Sequence, residues 1–261
     1  MDLVESQKIP GETCSRHPWE RARKKVVVDL IRQHVATSAE SKTFLDIGCG
    51  DTWLVEQLSQ VFPESKFIAV DIAFNEQLLG KLQRKFEGTN IEVFGDLNSA
   101  LKDREAKIDA ILLLDVIEHI ADDVSFLQNL SQDFSRITQD TLYFITVPAF
   151  QFLFCEHDRF LGHYRRYTNT TLRVHTLQAG LKCVSIGYFF SLLLLPRLAS
   201  TLVEKFRPRA TQPTGVANWK GTCLDGVISS VLYLDYKLSS LLNRINIRLP
   251  GLSNYIICQK K

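Results

Sequence analysis

The stretch Thr43-Phe44-Leu45-Asp46-Ile47-Gly48-Cys49-Gly50-Asp51-Thr52-Trp53 begins as a short apolar run. It then passes through two glycines one residue apart and enters a helical pattern over residues 53–62. A buried strand turning on glycines into a helix collects free backbone N–H groups and a positive dipole end at one point. Glycine there lets a ligand approach the backbone closely. The next apolar run, 66–71, ends at Asp71, followed by Ile72. A carboxylate about 20 residues after such a turn is placed to grip ribose hydroxyls. The segment therefore reads as an adenosine-binding strand-turn-helix.

Outward from this unit the rhythm continues. Helical periodicity over 75–86 precedes strand-like runs at 91–94 and 108–115, the second almost continuously apolar as in a strand covered on both faces. A helix over 122–134 and a strand over 141–147 follow. Alternating strands and helices predict an α/β fold with a parallel sheet between helical layers. Beyond Pro148 lies a loop, 149–168, rich in aromatic, His and Arg side chains. Further on come a helix over 170–179, a strand over 183–189, two apolar helices over 191–206 and 223–243, and a last strand over 254–259. Residues 1–42 read as helices packed outside the sheet.

With 261 residues, 45% hydrophobic and 23% charged, the chain is ordinary globular material able to build its core without staples. Disordered, collagen-like and coiled-coil classes are excluded. The six cysteines, Cys14, Cys49, Cys155, Cys183, Cys223 and Cys258, form no C-x-x-C pair, which speaks against a zinc site and for reduced thiols in a cytoplasm. Residues 1–10 carry Asp2, Glu5 and Lys8 and no apolar core of a signal peptide. The most apolar stretch, 186–195, is too short to span a bilayer. Charge is divided: residues 43–150 hold 18 acidic against 8 basic side chains, residues 151–261 hold 5 against 15. Two faces with different partners, or cationic surface helices that need charge for solubility, account for this equally.

A dinucleotide fingerprint would place a third glycine where Trp53 stands, which opposes that cofactor. Asp46, Gly48 and Gly50, with Thr52 at the place of a third glycine, resemble instead the first motif of class I S-adenosylmethionine (SAM)-dependent methyltransferases. Gly95-Asp96-Leu97 stands where that family sets an acid against the adenine amino group. Asp115-Val116-Ile117-Glu118-His119 resembles the D-x-x-E-H run of the subgroup that includes ubiquinone-type O-methyltransferases. The segment from His157-Asp158 to Gly162-His163-Tyr164-Arg165-Arg166-Tyr167 is similar to the HD-x-x-x-GH-x-RRY stretch of bacterial members found among surface-polysaccharide and natural-product genes. The resemblance implies a Rossmann-like seven-stranded sheet whose last strand is antiparallel. It also implies SAM as cofactor, held by Asp46, Gly48, Gly50, Asp71, Ile72, Asp96, Leu97 and Asp115.

Methyl transfer from a sulfonium needs donor carbon and acceptor in line, and in some cases a base for the acceptor's proton. Ligands of open α/β sheets sit at the carboxyl ends of strands, so the loop after 141–147 overhangs the cofactor. His157 or His163 is a candidate general base, His119 a third catalytic candidate. Glu118, Asp158, Tyr164, Arg165, Arg166 and Tyr167 are candidate acceptor contacts, with Asp158 able to orient a histidine and the arginines able to clamp an anion. A structural loop using these groups internally is the competing reading. Asp115, Glu118 and His119 can also be weighed as cation ligands on one helical face; a metal-free pocket wall is preferred, so no metal is expected. Trp19, in His17-x-Trp19-x-x-x-Arg23, belongs to an N-terminal lid or to a docking helix.

The leucine-rich segments 191–206 and 223–242 are bordered by Arg197, Lys205, Arg207, Arg209, Arg244 and Arg248. They read as a cap packed on itself, a peripheral membrane contact, a homodimer face or a cover for a lipid-linked acceptor. The expected organisation is a helical lid at 1–42, a SAM-binding core at 43–190, a helical insertion at 191–250 and the last strand at 251–261. The expected function is methylation, at oxygen, of a small or lipid-linked metabolite by a cytoplasmic enzyme, peripheral on the inner membrane surface if the apolar helices dock there. The alternative is an inactive SAM-binding or recruiting module. A nucleic-acid substrate is not expected, because Val147 is followed by Pro148-Ala149 and not by the Asn/Asp-Pro-Pro-aromatic motif of base methylation.

Overall fold

The computed structural model describes residues 16–35, 41–102, 106–206 and 221–261. Helix α1 (Pro18–His34) leads into strand β1 (Thr43–Ile47), followed by α2 (Trp53–Val61), β2 (Lys66–Val70), α3 (Glu76–Phe86) and β3 (Ile91–Phe94). Then come α4 (Leu97–Leu101), β4 (Ala110–Leu114), α5 (Asp123–Gln132) and β5 (Leu142–Pro148). Helices α6 (Glu156–Leu161) and α7 (Asn169–Gln178) precede β6 (Leu181–Phe189). Helices α8 (Leu194–Phe206) and α9 (Asp225–Arg244) precede β7 (Ser253–Lys260).

The seven strands form one sheet in the order β3-β2-β1-β4-β5-β7-β6. The pairs from β3 to β5 are parallel, and β7 runs antiparallel to both neighbours. This is the expected Rossmann-like arrangement. Reversal of strand order beside β1 and β4 opens the crevice where open α/β sheets bind ligands. Every residue of β1 and β4 is buried, because helices cover both faces. On one face Phe44, Phe67, Val26 and Ile31 share a core; on the other Leu45, Ile68, Ile111 and Tyr143 do.

Two differences from the expected elements have local causes. The loop expected over 149–168 contains α6, whose entry is fixed by Asp158: its carboxylate accepts the Cys155 backbone N–H at 2.9 Å. The short α4 begins where Asp96 caps it through Ser99. Helix α1 packs against α9 and α2, so the helix preceding the sheet and the one before its last strand share an interface. Tyr233 and Lys237 of α9 both bond Asp29 of α1, at 2.8 and 2.9 Å. No helix among the described residues is long and apolar enough to cross a membrane.

Candidate active site

The turn after β1 is drawn tightly against β2. Gly48 and Cys49 both donate to the Val70 carbonyl, and Asp71 Oδ2 accepts the Gly50 N–H at 2.8 Å. Asp71 Oδ1 takes the Ala73 N–H at 2.9 Å. These two bonds hold the Asp71 carboxylate at the tip of β2, beside the glycine turn. Gly48 has φ +73°, and a Cβ there would stand 2.7 Å from Val116 Cγ2. That position is a cradle only glycine fits. Ile72, beside the carboxylate, is almost wholly exposed and offers an apolar surface to a flat ring.

Among the described non-glycine residues, positive φ occurs at Thr52, Asp115, Phe150, Phe190 and Asn246. The first four stand just beyond β1, β4, β5 and β6. Such residues cost about 1–3 kcal/mol each and gather where backbone is held for function. Thr52 takes the left-handed conformation that a glycine would adopt freely, and its hydroxyl donates to Glu56 at 2.9 Å.

Helix α1 reaches over this end of the sheet. His17 caps it by accepting the Trp19 N–H, which starts the helix with Pro18 at its first turn. Arg16 pairs with Asp51 and lies 4.8 Å over the Trp53 ring. Arg23 extends to Asp115 Oδ2 at 2.9 Å and Thr146 Oγ1 at 3.2 Å, with its Nε buried and without a hydrogen-bond partner. Trp19 stacks under Arg23 and against Phe190. The sequence left Trp19 between a lid over the acceptor and a docking helix; it lies in α1, beside Arg23, which the sequence marked only through the Trp19-x-x-x-Arg23 spacing.

The carboxyl groups around Arg23 are poorly hydrated. Burial pushes Asp46 up to about 7, with Asp71 adding to the rise and Arg23 opposing it. Burial, and then the Asp115 charge, push Glu118 well above the carboxylate range. Both Glu118 carboxyl oxygens are buried without a hydrogen-bond partner. A neutral acid and an unpaired guanidinium N–H, both in a dry site, are what a zwitterionic ligand end would satisfy.

Glu118 and His119 lie in the turn Ile117–His119, and the loop after β5 closes on it. Tyr164 donates its backbone N–H to the Glu118 carbonyl at 2.8 Å. His119 and His163 meet edge to face at 4.5 Å. One ligating atom each of Glu118, His119 and His163 falls within 4.8 Å of the others. Asp115 was weighed as part of this set, but its left-handed backbone turns it to Arg23 instead.

Asp158, without solvent exposure, anchors the loop. It accepts His163 Nδ1 at 2.9 Å and Arg166 at 2.8 and 3.0 Å. Burial raises its pKa, but the His163 and Arg166 contacts overcome that and hold it well below the usual carboxylate range. Arg166 is thereby consumed internally. Arg165 is likewise bound to Asp123 and the Ala121 carbonyl, and the buried Tyr167 hydroxyl donates to Asp123 at 2.8 Å. His175 Nδ1 completes the Asp123 cluster at 2.7 Å. These three loop residues, expected at the acceptor, brace the loop, because the two buried carboxylates beside them demand compensation. His157 stacks on Phe160 and is not one of the histidines brought to Glu118. Asp96, exposed, uses its oxygens to cap α4, and Leu97 opens that helix.

Residues 19–186 match a family model described as a methyltransferase domain. Two curated ubiquinone biosynthesis O-methyltransferases are similar: one from Chelativorans sp. (strain BNC1), 25% identical over 128 residues, and one from Bartonella quintana (strain Toulouse), 31% identical over 101. The alignments take in 47% and 38% of this chain; the chain spans 50% and 40% of these relatives' lengths. A crystal structure of a SAM-dependent methyltransferase from Archaeoglobus fulgidus superimposes with a TM-score of 0.51 at 19% identity, over 92% of this chain and 97% of that one. At that identity the likeness is one of fold.

Proposed function

The chain belongs to the methyltransferase-domain family, whose cofactor is S-adenosylmethionine, and from that premise we propose that it methylates an oxygen of a small metabolite. The observation that carries the reading is the Asp158–His163 pair set beside the Glu118–His119 turn. An ionised Asp158 on Nδ1 selects the tautomer with its proton there, leaving Nε2 as a base. A hydroxyl, unlike an amine with a free lone pair, gains most from losing its proton as the methyl arrives.

The residues present suit the cofactor. Asp71 would hold the ribose hydroxyls, the Gly48–Gly50 turn would admit the backbone-proximal part, and Arg23 would meet the carboxylate of the methionine end. Bound there, the donor supplies a methyl on a positive sulfur. Ile72 and Leu97 would flank the adenine, and Asp46 and Asp115 would set the charge around Arg23. His163 takes the acceptor's proton, Glu118 as a neutral acid donates a hydrogen bond, and Trp19, His119 and Tyr164 wall the acceptor. The two ubiquinone-pathway relatives favour oxygen as the acceptor atom. The expectation of no metal carries over: EDTA leaves turnover unchanged.

The test is calorimetric titration with SAM, followed by transfer of labelled methyl to a panel of phenols, sugar alcohols and matched amines. Methylation of hydroxyls that collapses in His163→Ala supports the reading. Methylation of amines alone, unaffected by His163→Ala, overturns it. The strained Thr52 in place of glycine favours one second reading, a SAM-binding module without turnover. Tight SAM binding with no methyl release from any extract would decide for it.

A further inference from the structure

Helix α9 turns one side to the protein and leaves the other open. Leu232, Tyr236 and Ser239 are buried toward α1 and β6, whereas Val227, Val231, Leu234, Leu238, Leu241 and Ile245 are exposed. Their spacing of three and four puts these six on one stripe. Over 20 residues that stripe is ~30 Å long. Leu234 is 65% exposed and Ile245 63%. Single exposed apolar residues are ordinary; a continuous row is a contact surface. The turn at Ser191–Leu193 ties α9 to α8, with Leu192 N–H donating to Asp235 and Ser191 meeting Ser239. Helix α8 adds Leu195, Leu202 and Val203 to the exposed apolar area.

The charges around the stripe name its occupant. The two carboxylates of α9, Asp225 and Asp235, are buried. The charged residues exposed between 224 and 248 are Lys237, which pairs with Asp29 of α1, and Arg244 and Arg248; α8 adds one exposed acid, Glu204. A second copy docked along the α9 stripe would find no exposed acid on that helix to answer Arg244 and Arg248. An anionic bilayer answers both features: acyl chains take the leucines, and headgroup phosphates take Arg244 and Arg248.

We propose that the outer face of α9, widened by α8, is a docking surface for anionic phospholipid membrane. The helix lies along the interface with its apolar stripe immersed and its inner side still packed on α1 and β6. Since α1 carries Arg23 into the candidate site and Asp29 onto α9, docking holds that site beside the membrane surface. The docking itself does not depend on which acceptor is methylated.

Sedimentation of the full chain with vesicles tests this without any turnover. Expected is binding to phosphatidylcholine vesicles containing an equal part of phosphatidylglycerol, little binding to phosphatidylcholine alone, and release by high salt. Leu234→Glu with Leu238→Glu should weaken partitioning at least about tenfold, and so should Arg244→Glu with Arg248→Glu. All four side chains face solvent, so circular dichroism and melting temperature should not change. No binding to the anionic vesicles, or equal binding to neutral ones, overturns the proposal. So does elution as a dimer that the leucine double variant converts to monomer, because a second copy then covers the stripe.

Discussion

Nδ1 of His163 lies 2.9 Å from Oδ1 of Asp158, a carboxylate with no solvent exposure that also accepts Nε and Nη2 of Arg166. One side of the imidazole is therefore fixed, and the proposed proton transfer falls to the other. Removing the ring in His163→Ala is expected to lower kcat about 10²–10⁴-fold while the SAM dissociation constant stays within about threefold. Parallel loss of SAM affinity would show that His163 serves the fold instead.

Asp158→Asn separates support from chemistry. It leaves Arg166 buried against a neutral amide, and removing one partner of a buried ion pair costs about 3–5 kcal/mol. A urea melt should show a loss of that order, and turnover should fall in the protein that remains folded.

Asp71→Ala should weaken SAM binding by about 1.5–3 kcal/mol, measured calorimetrically, because acceptors for charged hydrogen bonds disappear. Asp71→Asn, which keeps one oxygen toward Gly50, should lose less. Unchanged affinity in Asp71→Ala would remove the ribose assignment.

Gly48→Ala sets a methyl 2.7 Å from Val116 at φ +73°. Destabilisation of about 1–3 kcal/mol is expected from backbone strain and overlap together. Adding Val116→Ala should recover the overlap but not the strain, which a double-mutant cycle reads directly.

Asp46 gives a pH signature with a definite sign. Its folded pKa is raised to about 7 against about 3.9 unfolded, so between those values the folded chain holds a proton that the unfolded chain has released. Its contribution to stability is greatest below about 4 and falls as pH rises toward 7, by up to about 4 kcal/mol. Asp158 acts oppositely: its depressed pKa adds stability above about 4 that is lost as pH falls. Melting curves of Asp46→Asn from pH 4 to about 7 should be flatter than those of the parent chain.

The sheet was largely readable from pattern. Thr43–Ile47 falls where its apolar run places it, because a strand buried on both faces has no alternation to blur its ends, and Ile91–Phe94, at the sheet edge, is marked by its apolar residues alternating about the exposed Glu92. The glycine turn and Asp71 were readable for the same reason, since backbone conformation and spacing are local properties. What stayed hidden was pairing across distance. Arg165 finds Asp123 and Tyr167 finds the same carboxylate, contacts that no periodicity announces, so residues resembling substrate clamps turned out to brace the loop. Arg23 was obscured in a helix where Arg21, Lys24 and Lys25 surround it with ordinary surface charge. Helix α6 was hidden by its composition, aromatic and basic side chains over a carboxylate cap.

The placement of β7 between β5 and β6 bears on how the chain reaches its native state. Val147 must wait for Asn254, and Tyr188 for the same residue, before either ladder closes. Until then two hydrogen-bonding rims stand open, and open rims invite pairing between nascent molecules. Synthesis therefore passes through an interval between Phe189 and Ser253 in which both rims stand open to pairing.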